Sequence, residues 1–320
     1  MAVYTQVSSE EMETLLTRYQ TGELLSAKGI AEGVENSNYL ITTASDRFIL
    51  TLYEKRVNAD DLPFFLALLD HIADKGLPVP RAVRDRDGAQ LQTVAGKPAC
   101  LIEFLEGVSV THPTSAQARA TGEALGRMHA ALADFPLSRP NSLGPAGWRE
   151  LAERCASDLD RIAPGLDQLI TEELRVLEER WPADLPTSVI HADLFPDNVL
   201  MRGDRVSGII DFYFACTEIR AWDLAITHAA WSFESDGTGY SAERAHALVE
   251  GYESVMPLSA AERTAFPMLA RGAALRFTLT RAWDWLNTPA DALVTRKDPL
   301  AFLRRLQFYA AADPVQLLGR

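Results

Sequence analysis

The spacing of apolar and polar residues changes twice along the chain. Near the start, Ser8 and Glu11 have the spacing of a capping box, which predicts a helix that runs to about Gln20 and ends near Gly22. Three β-type segments follow within residues 24–53, namely LLSAKGI, NYLITT and RFILTLY, and turn signals separate them. Together they predict an antiparallel meander.

A helical period follows the strand-like segments over about residues 60–75, and Gly76 stands where a helix would end. The apolar stripe of this helix consists of Leu62, Phe65, Leu66, Leu69 and Ile72. Two short strands are predicted next, at AQLQTV and PACLIEF. From Ser115 onward the pattern is helical, except for the strand-like pieces TSVIHAD and VSGIIDFY.

This order of elements predicts the fold class. Strands with one crossing helix, followed mostly by helices, indicate an α+β fold with two lobes. We expect an antiparallel sheet lobe over residues 1–103 and a helical lobe over residues 104–320, which would carry the catalytic loop and the acceptor site. The hinge should lie near residues 103–107, where a strand passes into a glycine.

Composition narrows the class of protein. The net charge of −13 argues against a nucleic-acid binder that neutralises phosphates, but it is compatible with a nucleotide site built from local cations, metal ions and backbone N–H groups. The N-terminus lacks the regions of a secretory signal, and no apolar run reaches the ~18 residues that span a bilayer. Three scattered cysteines fit buried thiols in a reducing compartment. We expect a cytoplasmic monomer or homodimer with small-molecule partners, no nucleic acid and no membrane.

The segment SVIHADLFPDNVLM (188–201) places polar residues where an apolar strand ends. It delivers His191 and Asp193 into a loop, with Asn198 five residues beyond Asp193, and a second apolar strand then ends at Asp211. Phosphoryl transfer needs one carboxylate that orients the attacking hydroxyl and accepts its proton, and an Asn and an Asp that hold Mg²⁺. Asp193, Asn198 and Asp211 supply that set in the expected order.

Each of these residues also has an ordinary structural interpretation. Asp193 could cap a turn, and Asn198 could form an Asx-turn. One such residue alone would favour that interpretation, whereas three at this spacing between two apolar strands favour catalysis. His191 is expected to order the loop by hydrogen bonding rather than to touch substrate.

The pair HADLFPDNVL and IIDF resembles the catalytic and metal loops of the aminoglycoside-phosphotransferase and choline-kinase-like superfamily, which has a protein-kinase-like fold. The wider chain resembles one branch, the homoserine kinases of that fold, through GVENSNYLITT, FILTLYEKR, LPFFLALLDHIADKGLPVP, LGRMHAAL and KDPLAFL. The resemblance implies ATP- and Mg²⁺-dependent phosphorylation of the side-chain hydroxyl of L-homoserine, with Asp193 as base and Asn198 and Asp211 as metal ligands.

The same resemblance implies roles for further residues. The backbone of Glu103 and Leu105 would bind the adenine edge, and Gly29 and Gly33 would let a loop approach the phosphates. Asp223, in the segment AWDLA, would brace the catalytic loop. The helix that carries Gly122, Gly126 and His129 would pack beneath that loop.

One departure from the superfamily pattern concerns the third strand. Many kinases of this fold place a lysine there to contact the α- and β-phosphates, but the matching residue here is Thr51. Lys55 and Arg47 are alternatives with the same strand parity, each about 13 Å from position 51 at ~3.3 Å per residue. A nucleotide held mainly by Mg²⁺ and backbone groups is the other possibility.

The acceptor site is predicted in RGAALRFTLTRAWDWLNT (271–288). Arg276 or Arg281 could hold a carboxylate and Asp284 an ammonium group, although the same helical period fits a Trp-rich core face with solvated charges. Three functions remain open: a homoserine kinase, another small-molecule hydroxyl kinase acting on an aminoglycoside, choline or a thiosugar, and a nucleotide-binding protein without catalysis.

Overall fold

The computed structural model describes residues 4–30, 36–54, 58–288 and 296–319. These residues form two units. The first comprises the described residues within 1–106 together with 208–213, and the second comprises those within 107–207, 214–290 and 295–320.

The first unit begins with helix α1 (Ser9–Leu16), and its capping box is present as predicted: the Ser8 side chain accepts from the Glu11 backbone N–H, and the Glu11 side chain accepts from the Ser8 backbone N–H. The prediction that this helix runs to about Gln20 is wrong. The chain leaves the helix after Leu16 through turns in which Arg18 N–H donates to Leu15 O and Tyr19 N–H to Leu16 O. These turns bury Tyr19 in the core under the sheet.

The predicted meander forms the centre of a five-stranded antiparallel sheet. Its strand order is β1-β2-β3-β5-β4, and Thr51 of β3 lies opposite both Asn38 of β2 and Cys100 of β5. The strands are β1 (Leu24–Gly29), β2 (Asn36–Thr43), β3 (Arg47–Tyr53), β4 (Gln92–Val94) and β5 (Lys97–Glu103).

Helix α2 (Leu62–Asp74) connects β3 to β4, and a short 3₁₀ turn at Ala59–Asp61 precedes it. Its buried face differs in part from the predicted stripe, because Phe64 and Leu68 are buried while Leu69 is only half-buried. The α+β class and the antiparallel N-terminal sheet are nevertheless confirmed.

The second unit is mainly helical, with two short strand pairs around the polar segment 188–201. The helices are α3 (Ser115–Ala131), α4 (Pro145–Cys155), α5 (Leu166–Arg180), α6 (Arg220–Trp231), α7 (Ala242–Glu253), α8 (Ala260–Asn287), α9 (Leu300–Ala311) and α10 (Pro314–Leu318). The strands are β6 (Thr187–Ile190), β7 (Val199–Arg202), β8 (Arg205–Ile209) and β9 (Cys216–Ile219), paired β6 with β9 and β7 with β8.

Both strand-like pieces predicted beyond Ser115 contain strands, β6 and β8, but the expectation that they are the only exceptions to helix is wrong, because β7 and β9 are strands as well. Strands β7 and β9 have four residues each, which is too short for a two-residue period to stand out from the surrounding helical pattern.

Helices α3 and α7 pack closely against each other. A Cβ atom on Gly122 would lie 1.9 Å from the Leu248 carbonyl oxygen, and one on Gly251 would lie 2.0 Å from the Arg119 carbonyl oxygen. Both positions therefore require glycine. This close approach sets the distance between His129 on α3 and Tyr252 on α7.

All three cysteines, Cys100, Cys155 and Cys216, are free and buried, which confirms the expectation. Burial raises the pKa of each thiol, to about 11 for Cys100 and Cys155 and about 12 for Cys216. Within the described ranges, no helix has the length and apolar character needed to cross a membrane.

Candidate active site

The loop after β6 holds Asp193 in a tight reversal of the backbone. Ala192 has a φ of +64°, in the left-handed region that residues with a Cβ rarely adopt. This turn brings the Asp193 N–H to within 3.2 Å of His191 Nδ1, so the buried imidazole accepts a hydrogen bond from the loop. Asp193 itself is half-buried. The contact has the ordering geometry that the sequence suggested for His191.

Asn198 is fixed against Asp193. Its Nδ2 donates to the Asp193 backbone carbonyl at 2.8 Å and to Asp193 Oδ2 at 3.2 Å. Because a carbonyl oxygen can only accept, the first contact identifies the atom facing Asp193 as the amide nitrogen. Asn198 Oδ1 is therefore turned away from Asp193. An oriented amide oxygen beside a carboxylate is a suitable start for a site that binds a hard cation.

Asp223 on α6 supports the loop from below. Its Oδ2 accepts from the His191 N–H at 2.7 Å, and its Oδ1 accepts from the Ala192 N–H at 2.8 Å. The side chain is fully buried. Burial acts to raise the pKa of this carboxyl, but hydrogen bonds and charge from His129 and His191 outweigh it, so the pKa of Asp223 lies below its usual value. The loop thus rests on a buried carboxylate.

The hydrogen-bonded chain extends from Asp223 to α3 and α7. His129 Nε2 lies 3.1 Å from Asp223 Oδ2, and His129 Nδ1 lies 2.9 Å from the Tyr252 hydroxyl. All three side chains are buried, and burial raises the pKa of Tyr252. The histidine is thereby held between a carboxylate and a phenol, which fixes the orientation of its ring.

Two further side chains donate hydrogen bonds to backbone carbonyl groups of the loop. The Arg276 guanidinium donates to the Ala192 carbonyl, and Trp231 Nε1 donates to the Leu194 carbonyl at 2.9 Å. Arg276 is 2% exposed. Of the two arginines predicted to bind an acceptor, this one contacts the backbone of the loop after β6.

Arg281, the second predicted acceptor residue, lies one turn further along α8. Its guanidinium is 4.4 Å from the centroid of the Phe302 ring and donates to the Asp298 carbonyl at 3.3 Å. Burial and the neighbouring Arg305 lower its pKa to about 10, while Asp193 and other acidic groups act in the opposite direction. Arg281 is therefore half-buried and charged at neutral pH, and the carboxylate of Asp193 is near enough to stabilise that charge.

The other predicted acceptor residue, Asp284, is half-buried on the last turns of the same helix. Lys297 forms an exposed ion pair with Asp197 of the loop after β6, at 3.3 Å between Nζ and Oδ2. Lys297 Nζ also stands 5.7 Å from the Phe195 ring centroid.

Asp211 belongs to the first unit, two residues after β8. Its φ is +66°, a left-handed conformation that aspartate tolerates better than most residues. The segment is anchored within that unit: Ile209 N–H donates to Pro78 O at 2.8 Å, and the Tyr213 ring packs edge-on to Tyr53 at 5.6 Å between centroids. Backbone strain of this kind is concentrated at functional sites.

Some of the residues predicted to bind the nucleotide lie in the described part of the first unit, and others do not. Gly29 ends β1, whereas Gly33 and Lys55 lie outside the described residues. Glu103 ends β5, with its N–H donating to Arg81 O at 2.9 Å, and Leu105 follows half-buried.

Thr51, for which the resemblance implied a lysine in many kinases of this fold, is buried and donates to Asn38 Oδ1 at 2.7 Å. Arg47, the alternative cation, pairs with Glu106 at 3.0 Å on the exposed surface.

Sequence reasoning missed Tyr252, Trp231 and the special conformation of Ala192. A buried tyrosine or tryptophan on a helix looks like ordinary core, because its polar partner lies on a segment remote in sequence. For Ala192 the signal was indirect: the motif places one polar residue on each side of a small one.

The chain is similar to known phosphotransferases. The model of the phosphotransferase enzyme family matches residues 26–258. The homoserine kinase of Zymomonas mobilis subsp. mobilis is 57% identical over 315 residues, covering 98% of each chain. That of Xanthobacter autotrophicus is 53% identical over 319 residues, covering 100% of this chain and 99% of that one.

Among solved structures, a spectinomycin phosphotransferase in complex with ADP and spectinomycin matches with a TM-score of 0.73 and 14% identity, over 98% of this chain and 100% of that chain. This likeness concerns the fold, and it confirms the expected two-lobed, protein-kinase-like architecture.

Proposed function

The chain belongs to the phosphotransferase enzyme family and is a small-molecule kinase, and we propose that it transfers the γ-phosphoryl group of ATP to the side-chain hydroxyl of L-homoserine. The product would be O-phospho-L-homoserine, the phosphorylated intermediate on the route to threonine. One observation carries the choice of acceptor: relatives named homoserine kinase are more than 50% identical to this chain across almost its whole length.

Asp193 is the proposed base. It would accept the proton of the homoserine hydroxyl while that oxygen attacks the γ-phosphorus and ADP leaves. Its side chain is half-buried, and the amide of Asn198 holds Oδ2 in place. A carboxylate that is already oriented needs little reorganisation when the hydroxyl arrives, which favours the attack.

Asn198 and Asp211 are the proposed Mg²⁺ ligands. They offer an amide oxygen and a carboxylate, the hard donors that Mg²⁺ prefers, and the orientation of the Asn198 amide leaves Oδ1 directed away from Asp193. When bound, Mg²⁺ would offset the negative charge of the phosphate groups. The order of these residues in the sequence supports the assignment of Asp211.

The nucleotide is proposed to bind to backbone groups of Gly29, Gly33, Glu103 and Leu105. The third strand supplies Thr51 instead of a lysine, and the Thr51 hydroxyl already donates to Asn38. This contact supports a mode of binding in which backbone N–H groups and Mg²⁺ hold the phosphates with little help from a strand cation.

For the acceptor, Arg281 is the better placed of the two predicted arginines. Its guanidinium is charged, interacts electrostatically with the proposed base Asp193, and lies over the ring of Phe302. A carboxylate bound there would offset part of the cost of burying the cation. Asp284, three residues further along α8, would take the ammonium group of homoserine.

The test is an ADP-release assay across a panel of hydroxyl compounds: L-homoserine, 3-aminopropanol, choline and an aminoglycoside. Homoserine should give the highest kcat/KM, and Asp193→Asn should lower kcat by at least about a thousandfold, because base and orientation are lost together. ATP binding by the variant should change little. Preference for an acceptor without a carboxylate would overturn the homoserine assignment, and near-normal turnover by Asp193→Asn would overturn that of the base.

A further inference from the structure

The peptide groups on either side of Ala192 are held by two buried side chains of opposite charge. The Ala192 N–H donates to Asp223 Oδ1 at 2.8 Å, and the Ala192 carbonyl accepts from the Arg276 guanidinium. Asp223 is fully buried and Arg276 is 2% exposed. The residue between them has the left-handed φ of +64°. An alanine adopts this conformation only where its surroundings enforce it.

Arg276 is itself held rigidly. Its guanidinium lies 4.6 Å from the ring centroid of Phe277, 5.4 Å from that of Phe214 and 5.9 Å from that of Trp222. Aromatic faces stabilise a cation and restrict its rotamers without using its N–H donors. A donor in the guanidinium fork is thus kept directed at the Ala192 carbonyl.

The conformation of Ala192 determines where Asp193 stands. With a left-handed residue at 192 the chain reverses, which places the Asp193 N–H on His191 Nδ1 at 3.2 Å. If Ala192 relaxed to an extended φ, successive side chains would point to opposite sides, and Asp193 would leave both His191 and the Asn198 amide. The catalytic geometry therefore depends on this one backbone torsion.

We propose that Arg276 is a positioning residue, which together with Asp223 clamps the Ala192 peptide in its left-handed conformation and so presents Asp193 to the acceptor hydroxyl. The proposal rests on the proposed kinase function, but it does not depend on the identity of the acceptor. It assigns Arg276 a role different from the carboxylate contact that its helical position suggested.

A double-mutant cycle between positions 276 and 192 tests the clamp. Arg276→Met keeps the length and apolar packing of the side chain but removes its charge and donors, and Ala192→Gly removes the steric cost of a positive φ. Arg276→Met should lower kcat by about tenfold to a hundredfold, the equivalent of one lost hydrogen bond to a charged group, with KM for both substrates within about twofold. When Ala192→Gly is added to Arg276→Met, at least about half of the decrease in log kcat should be recovered.

The matched control is Arg281→Met, on the same helix. Its defect should appear in the KM for homoserine, and Ala192→Gly should leave it unchanged. Arg276→Lys, which keeps the charge and one donor direction, should lie between wild type and Arg276→Met, and it replaces the methionine variant in the cycle if that variant fails to fold.

The outcomes separate the hypotheses. A rise in the KM for homoserine, with kcat unchanged, would make Arg276 an acceptor ligand and overturn the clamp. A kcat defect that Ala192→Gly does not relieve would also overturn it. If wild type fails to phosphorylate homoserine, the proposed acceptor is wrong, and the same cycle is then run with whichever panel compound reacts or with water as acceptor in ATP hydrolysis.

Discussion

Asp223→Asn is the substitution for which the structure gives the sharpest expectation. The carboxylate accepts three hydrogen bonds, two at Oδ2 from the His191 N–H and His129 Nε2, and one at Oδ1 from the Ala192 N–H. Asparagine has nearly the same shape, so the cavity is unchanged. One of its two terminal atoms, however, becomes an NH₂ group that faces an N–H donor whichever way the amide is turned.

The magnitude follows from what each orientation loses. If the amide oxygen takes the place of Oδ2, the Ala192 N–H loses its acceptor. A hydrogen bond to a charged group contributes about 1.5–3 kcal/mol, and a buried donor left unsatisfied costs about 1–3 kcal/mol. The loss of charge weakens the remaining two bonds as well. We expect a decrease of about 3–5 kcal/mol in the free energy of unfolding, in the range observed when one partner of a buried charged network is removed.

Equilibrium denaturation of wild type and Asp223→Asn gives this difference directly, with the surface variant Asp197→Asn as control. Asp197 forms an exposed ion pair with Lys297 in the same loop, so its loss should cost less than about 1 kcal/mol. A difference below about 1 kcal/mol for Asp223→Asn would refute the reasoning, because it would mean that the loop does not depend on the carboxylate.

The pH dependence of the same difference has a definite sign. The pKa of Asp223 is lowered in the folded protein, so its contribution to stability is fully present above the pKa of an unfolded aspartate and is lost as the pH falls through the folded value. The difference in the free energy of unfolding between wild type and Asp223→Asn should therefore be constant from about pH 5 to about pH 9. It should become smaller below about pH 4. A gap that widens in acid would contradict the assignment.

Two further substitutions test the ligands of the reaction. Asp211→Ala should abolish activity and remove most of the Mg²⁺-dependent part of ATP binding in calorimetry, since a carboxylate ligand is lost; unchanged binding of Mg·ATP would exclude the metal role. Arg281→Met should lower kcat/KM for homoserine by about tenfold to a few hundredfold through loss of a charge-assisted hydrogen bond, while 3-aminopropanol, which has no carboxylate, should be affected little. Equal losses for both acceptors would remove Arg281 from the carboxylate site.

The sequence predicted elements whose signal is local. The capping box at Ser8 and the strands β2 and β3 depend on neighbours within a few residues, and the structure contains them. Fold class followed from the order of such elements. The strands β7 and β9 were missed because four residues give too little pattern, and pairing with a remote segment decides their conformation.

Site residues divide in the same way. Asp193, Asn198 and Asp211 were chosen from their order and spacing in the sequence, and their roles as base and metal ligands stay predictions. The contacts of Arg276 could not be predicted, because its partner is a backbone carbonyl 84 residues away and a carbonyl has no side-chain signature. Helical periodicity placed Arg276 on a face of α8 but said nothing about what that face meets.

Buried charges occur around this loop because its backbone conformation needs partners from elsewhere in the chain. A left-handed alanine is not stabilised by its own sequence, so the energy must come from outside the loop. Asp223 and Arg276 each lose hydration on burial, and each offsets part of that loss by bonding to the backbone of Ala192. The charges that are costly to bury are thus the groups that hold the catalytic loop in place. Substitutions there should lower stability and kcat together, whereas substitutions at Arg281 should lower acceptor affinity alone.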